Sequence, residues 1–247
     1  AAHTQWHKED LAIYIFDEII EPFAGYGFNK SHAACYSMIA YQTAYMKTYY
    51  PTEFMVALMV SDEEDMDRIK MEIGEAAIKW VKILPPDINQ SRQHFTYVDN
   101  TTIRFWLKAI KGLGEWPITT IRNNVKDTKF TSIEDIIERT GGDVINKKSL
   151  ESLIYSWALD DFGERNSLLA SIVKMTAYLK EIESKRETSQ MGLFDGLDTS
   201  ENTGVHFELE KSKVEMTFEE RMKWEKAMIG YPVSGHPLDG TYNFIRQ

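Results

Sequence analysis

The spacing of apolar residues in the first 80 positions predicts a series of helices. Leu11, Ile15 and Ile19 recur at intervals of four, which places them on one face of a helix. Ser31 is a suitable N-cap for a long second helix, and Pro51 is expected to end that helix and to open the next one. The first third of the chain is therefore predicted to be helical.

The pattern changes near residue 81, where short apolar runs replace the helical spacing. Residues 81–84, 95–98 and 103–107 have the apolar and β-branched character of short strands. Helical spacing returns after Gly114, and its last long stretch predicts a helix over residues 165–186. The predicted fold class is mainly α with a small β element.

The C-terminal part of the chain predicts a partly flexible tail. Residues 187–215 are rich in Ser, Thr, Asn, Gly and Asp and lack periodicity, which is typical of a linker. A last helix is predicted from Thr217, with Glu220 at capping-box spacing, to Ile229. The sequence thus predicts two lobes followed by a tail.

Charge argues against a general nucleic-acid binder, because the net charge is −10 and such binding depends on neutralising phosphates. A local basic patch is nevertheless present between residues 104 and 129. The acidic run at 62–67 is interpreted as a solvated helix start rather than a metal site. The cations of the patch are Arg104, Lys108, Lys111, Arg122, Lys126 and Lys129, opposed only by Glu115 and Asp127.

Cysteine content and hydropathy bear on the cellular compartment in which the chain is expected. The single cysteine, Cys35, leaves no internal disulfide, which fits a reducing environment. No apolar run approaches the roughly 20 residues that span a bilayer, and the first ten residues lack a signal pattern. We expect a cytoplasmic location and no membrane partner.

A Gly-x-Gly turn followed by a helix is the pattern of a helix-hairpin-helix. Gly112 and Gly114 permit a tight turn and let the backbone approach a phosphate, while the free amides of the following helix face the anion. A simple turn between two helices explains the motif alone equally well. The residues predicted to contact DNA are Lys108, Lys111, Gly112, Leu113, Gly114 and Arg122.

Two further segments have candidate chemistry. A glycine-bearing loop leads into Lys30, Ser31 and His32 at the start of a helix, where a triphosphate could bind, although a packed loop with a capping serine is favoured by chemistry alone. Residues 190–194 place an amide and two apolar side chains in a polar linker. They either dock in the groove of a partner or fold back on this chain.

Together and in this order, several segments resemble the bacterial C-family replicative polymerases, the DNA polymerase III alpha subunits. The resemblance covers nearly the whole chain. The matching segments are residues 23–34, 40–43, 50–55, 83–89, 110–115, 146–154 and 234–239.

The resemblance implies a domain order and three binding sites. Lys30, Ser31 and His32 would meet the phosphates of the incoming deoxynucleoside triphosphate. Gln190, Leu193 and Phe194 would dock on the ring-shaped sliding clamp. The implied domains are the C-terminal part of the fingers (1–100), a tandem helix-hairpin-helix domain that holds duplex DNA (101–186), a linker with the clamp-binding peptide (187–215), and a helix and connector leading to an OB domain (216–247).

The resemblance also implies the activity of the full subunit, which is template-directed nucleotidyl transfer with Mg²⁺. Its implied partners are primer–template duplex DNA, a deoxynucleoside triphosphate, the clamp and other replicase subunits. Since the catalytic aspartates of the family lie upstream of the fingers, this chain alone is expected to be inactive and to bind no metal. A non-catalytic, clamp-tethered duplex-binding adaptor is the alternative, and an error-prone paralogue also stays open.

Two positions depart from the family pattern. Residues 156–160 replace small residues and glycine, which puts the DNA contact of the second hairpin in question. Trp106 stands at a position that is often glycine.

Overall fold

A computed structural model describes residues 9–26, 29–191 and 207–235. The chain divides into two compact units, Ala1–Tyr50 and Pro51–Gln247. Helices form most of the described structure, together with one three-stranded sheet. The predicted mainly α fold with a small β element is therefore confirmed. None of the helices in these ranges is both long and apolar enough to cross a membrane.

The first unit consists of helices whose described side chains are almost all exposed. Leu11, Ile15 and Ile19, which the spacing placed on one face, are 48%, 40% and 51% exposed. Its elements are α1 (Glu9–Tyr14), a π-helical turn (Ile15–Ile20), α2 (Glu21–Tyr26) and α3 (Lys30–Tyr49).

The predicted N-cap of α3 was wrong by two positions. Asn29 caps the helix, because its side-chain oxygen accepts from the amides of Ser31 (3.0 Å) and His32 (3.3 Å). Asparagine caps a helix as well as serine does, and its extended backbone lies just before the first helical residue. Ser31 therefore lies within the first turn.

The second unit begins with two helices packed on the sheet. Strand β1 (Lys82–Leu84) lies parallel to β3 (Thr102–Arg104), and β2 (Thr96–Asp99) lies antiparallel to β3, so the spatial order is β1-β3-β2. The elements are α4 (Pro51–Ser61), α5 (Met66–Ile78), β1 (Lys82–Leu84), β2 (Thr96–Asp99) and β3 (Thr102–Arg104).

An aromatic cluster fills the core between these helices and the sheet. The ring of Trp106 lies 4.3 Å from that of Phe95 and 5.4 Å from that of Phe105, measured between centroids. All three side chains are buried together with Met55 and Met59. Trp106 is therefore a core residue, two positions beyond the end of the third strand at Arg104.

The rest of the second unit is a helical layer with its own core. This core runs from Ile88 to Ile229 and includes buried side chains from every helix of the layer. The elements are a 3-10 turn (Leu107–Ala109), α6 (Glu115–Asp127), α7 (Ile133–Thr140), α8 (Lys147–Tyr155), α9 (Arg165–Ala170), α10 (Ile172–Met191) and α11 (Phe218–Ile229).

The helix predicted over residues 165–186 is two helices with a break at Ser171. The Ser171 hydroxyl donates to the Ser167 carbonyl (2.7 Å) and accepts from the Glu210 amide (2.8 Å). Serine side chains compete with helical hydrogen bonds in this way. The break therefore exposes the Ser171 hydroxyl to a later segment of the chain, which binds it through the Glu210 amide.

The tail is more ordered at its two ends than the composition predicted. Helix α10 continues to Met191, so Gln190 lies in a helix, and Phe207 and Met216 are buried farther on. Leu193 and Phe194 lie outside the described residues. The predicted capping box at the start of α11 is confirmed, with both of its hydrogen bonds present.

Candidate nucleic-acid interface

The first hairpin joins the 3-10 turn to α6 through a glycine that no other residue can replace without strain. Gly112 has φ of +89°, in the left-handed region that favours glycine. A Cβ at this position would lie 2.7 Å from the Ser152 hydroxyl oxygen on α8. Both backbone geometry and packing therefore require the absence of a side chain here.

The hairpin presents its backbone at the start of α6. Gly114 is the N-cap and has no side chain to occupy the first-turn amides of Glu115 and Trp116. The Lys111 amide donates to the Met228 carbonyl (2.8 Å), which holds the turn against the end of α11. The N-terminus of α6 is thus open to an external anion.

The predicted DNA-contacting residues divide between the hairpin and a groove beside it. Lys111, Gly112 and Gly114 are exposed in the turn, whereas the Leu113 side chain is buried in the core and leaves only its backbone for a contact. Lys108 and Arg122 line a groove of about 420 Å³ next to α6.

Lys148 is a cation of this hairpin that sequence reasoning did not select. Its Cε lies 3.4 Å from the position that a Gly112 Cβ would occupy. The first turn of α8 contains Lys147 and Lys148 and no acidic residue. The helix dipole disfavours cations there, so a bound anion would relieve the repulsion. The sequence signal that could have identified this cation is the pair of lysines directly after the capping Asn146.

Arg104 leaves the basic patch that the sequence suggested. It is only 9% exposed, lies 3.7 Å from the Asp87 carboxylate and donates to the Pro85 carbonyl at 3.1 Å. The Arg104 guanidinium therefore interacts with the loop after β1 and not with the basic patch. This pairing could not be predicted from the local pattern, because Asp87 lies 17 positions upstream.

The second hairpin, between α8 and α9, is already occupied by this chain's own side chains. The Glu164 carboxylate accepts from the Ser167 amide at 2.9 Å and so caps α9. Burial by itself would raise the pKa of Glu164, but hydrogen bonds from backbone amides, including that of Ser167, lower it below its ordinary value. An anion therefore fills the place that a phosphate would take.

Trp157 stands at the turn of this second hairpin in the left-handed conformation, with φ of +78°. Its indole N–H donates to the buried Glu225 carboxylate, and the Arg165 guanidinium lies 4.3 Å over its ring. These contacts tie the second hairpin to α11 instead of leaving it open.

The predicted nucleotide-binding residues share the first turn of α3. Lys30 and Ser31 are exposed, and the His32 ring lies 4.3 Å from the Tyr36 ring. Since Asn29 already accepts from the Ser31 and His32 amides, a triphosphate here would have to displace that cap. Their role in nucleotide binding stays a prediction.

Comparison with known protein families identifies the class of the hairpin region. Residues 80–168 match the family model described as a helix-hairpin-helix motif. The matched range contains both hairpins described above. Residues 80–168 of the second unit therefore form a helix-hairpin-helix region.

Relatives identify the family more narrowly. The DNA polymerase III subunit alpha of Campylobacter jejuni is 36% identical over 232 residues, which cover 92% of this chain and 19% of the relative. The subunits of Thermus aquaticus and Deinococcus radiodurans are 38% and 39% identical, over 93% and 94% of this chain and 18% and 17% of theirs. This chain belongs to the DNA polymerase III alpha subunit family and spans about a fifth of the length of these relatives.

In the described ranges, no group of three or more His, Cys, Asp or Glu side chains could hold a metal ion.

Proposed function

We propose that this chain holds duplex DNA for a template-directed replicative DNA polymerase. The observation that carries the proposal is the open N-terminus of α6 behind Gly112, with Lys111 and Lys148 beside it. Free amides, a glycine that lets the phosphate approach and nearby ammonium groups form a complete phosphate site. The family to which the chain belongs supports this use.

Binding through this hairpin is independent of sequence, because the amides and lysines meet phosphates rather than base edges. Only the first hairpin contributes, since Glu164 occupies the corresponding place in the second. The chain has a net charge of −10, and most of the acidic residues responsible for it lie outside the hairpin. This distribution favours the approach of DNA to the basic side of the chain.

The remaining assignments belong to the proposed full subunit. Residues 1–100 form the end of the fingers, with Lys30, Ser31 and His32 toward the nucleotide phosphates. Nucleotidyl transfer, in the cytoplasm, uses Mg²⁺ held outside the described residues. The linker peptide with Gln190, Leu193 and Phe194 tethers the subunit to the sliding clamp, which raises the local concentration of the polymerase on DNA.

The test of DNA holding is the affinity of the 247-residue chain for several unrelated duplexes, compared with that of the Lys111→Ala variant. We expect Lys111→Ala to weaken binding by a similar factor on every duplex, because the lost contact is to a phosphate. Lys82→Ala, an exposed lysine on β1, is the charge-matched control. Sequence-dependent losses, or equal losses in both variants, would overturn the proposal.

A further inference from the structure

A groove runs beside the first hairpin, with a loop on one side and α6 on the other. The groove has a volume of about 420 Å³, and its basic side chains come from both sides. Arg92 and His94 come from the loop before β2, and Arg122 and Lys126 from α6. Lys108 lies in the same groove.

The Arg92 side of the groove is held rigidly against α6. The Ser91 carbonyl accepts from the Arg122 guanidinium at 2.9 Å, and the Arg92 carbonyl accepts from the Leu107 amide at 3.2 Å. Farther along the loop, Glu63 accepts from the Phe95 amide at 3.1 Å and pairs with His94 at 2.8 Å. These bonds fix the loop on both sides of Arg92, so the groove is formed before any ligand binds.

Of the four Arg and Lys side chains that line the groove, Lys108 is paired with Glu64 at 3.4 Å, whereas the other three have no ion pair in the described ranges. Burial, and then repulsion by Arg92, lower the pKa of Arg122 below its ordinary value. Neither Arg92 nor Lys126 forms an ion pair within the part of the chain that the structure describes, and Glu115 is the one acidic residue that lines the groove. Like charges held together with few counter-charges favour an anionic ligand.

The groove continues from the hairpin along the helix. Glu115 at the start of α6 and Lys126 near its end both line it, and eleven residues of helix span about 16 Å. Positions 119, 122, 123 and 126 repeat at three and four, which places them on one face. A ligand that fills the groove is therefore an extended anion that also reaches the hairpin.

We propose that this groove binds the phosphodiester backbone of one strand of a DNA duplex, as a second contact beyond the phosphate held by the hairpin. This inference rests on the proposed function and adds Arg92 and Lys126 as binding residues. Arg92 comes from the loop between β1 and β2, outside the Gly-x-Gly turn itself. Thr119 and Asn123 add neutral hydrogen-bonding groups along the same face.

The experiment measures the dissociation constant for a duplex as a function of salt concentration in four forms of the whole chain. These are the unchanged chain, Arg92→Ala with Lys126→Ala, Lys111→Ala, and Lys82→Ala with Lys180→Ala. The last form removes two exposed lysines that do not line the groove, so its change in net charge matches that of the groove variant. Thermal unfolding of each form checks that the fold is kept.

We expect the groove variant to flatten the slope of log affinity against log salt by up to about 1.8, since each lost phosphate contact accounts for about 0.9. Its affinity should fall by more than about tenfold at moderate salt. The control pair should change the slope much less. A single strand of the same length should show a smaller loss, because the groove takes a strand in duplex geometry.

Three results would overturn the inference, and they differ in what they leave standing. If the groove variant behaves like the control while Lys111→Ala flattens the slope, the groove is not a contact and the hairpin function stands. If the unchanged, folded chain binds no duplex, both proposals fail. A loss confined to single-stranded DNA would also overturn the assignment to a duplex.

Discussion

At the scale of single residues, Gly112 is the position on which the proposed interface depends most. Gly112→Ala places a methyl group 2.7 Å from the Ser152 hydroxyl and forces a left-handed alanine. We expect a loss of about 1–3 kcal/mol in the free energy of unfolding and weaker duplex binding. Both are measured on one preparation, by denaturant unfolding and by titration with duplex DNA.

Gly74 offers a matched control for this change. It lies within α5, and a Cβ there would meet nothing within 4 Å. Gly74→Ala should therefore raise stability by roughly 0.5–1 kcal/mol and leave DNA affinity unchanged. Equal behaviour of the two variants would show that Gly112 has no special conformational role.

A second residue-scale prediction concerns Glu72, which is buried on α5. Burial, and then the hydrogen bond and charge of Asp62, raise the pKa of Glu72 from 4.5 to about 7. Because the folded state binds this proton more tightly, its contribution to stability is fully present below about pH 4.5 and is lost as the pH rises through 7.

Glu72→Gln removes this titration while keeping a similar shape. We expect the variant to be more stable than the unchanged chain by roughly 2 kcal/mol near pH 8, with the difference shrinking toward pH 5. Unfolding by urea at a series of pH values measures it. A difference that does not depend on pH would contradict the raised pKa.

Some of these residue roles follow from the sequence and others do not. The glycines of the first hairpin and the capping pair Thr217 and Glu220 are local patterns, and both were predicted. Arg104 was wrongly placed in the basic patch, and Lys148 was not selected. In both cases the neighbouring residues in the fold are distant in sequence. Asp87 pairs with Arg104, and Gly112 lies beside Lys148.

At the scale of elements, the two hairpins differ in whether the helix after the turn has a free N-terminus. The first ends in a helix with an open N-terminus, whereas Glu164 caps the second and Trp157 ties it to α11. The family pattern had raised this question through residues 156–160. The occupied cap supplies the physical reason for expecting no DNA contact at the second hairpin.

Glu225 is the anchor of α11 on the second hairpin. It is fully buried and accepts from the Trp157 indole and the Ser234 amide (2.9 Å), with the Arg165 guanidinium 3.9 Å away. Glu225→Ala leaves the buried Arg165 without this partner, and we expect a loss of about 3–5 kcal/mol in the free energy of unfolding.

The control for this variant lies on the same helix. Glu219 is exposed in the first turn of α11, and Glu219→Ala should cost less than about 1 kcal/mol. Chemical denaturation of both variants measures the difference. Similar losses would mean that Glu225 contributes no more than a surface charge.

Element boundaries show where periodicity is informative. Apolar stripes located the helical layer, and three short strands were expected near their observed positions. The break at Ser171 was not predicted, because the apolar stripe continues across it and the returning segment near Glu210 is remote in sequence. The exposure of the apolar residues in the first unit was also not predicted, because periodicity shows which residues share a face but not whether that face is buried.

At the scale of the whole molecule, a net charge of −10 coexists with a basic hairpin and groove. Under the proposal, such a distribution would direct DNA to one side of the second unit and keep it off the other surfaces. The proposed clamp peptide provides a separate attachment, so duplex binding and clamp binding should be separable by mutation.

The clamp proposal predicts that Leu193→Ala with Phe194→Ala abolishes binding to a cognate sliding clamp. Since these side chains would serve the partner, the midpoint of thermal unfolding should stay nearly unchanged. Clamp binding is measured with the immobilised ring, and Lys111→Ala is the control that should bind the clamp normally. A large drop in the unfolding midpoint would show that the two side chains pack within this chain instead.

The most direct test of the central claim is amide NMR of the chain during titration with a short duplex. We expect the largest shifts at the amides of residues 112–116, where the phosphate site is proposed, and none at Ser167, whose amide already donates to Glu164. Shifts centred on residues 163–168, or bound DNA with no change at 112–116, would contradict the account.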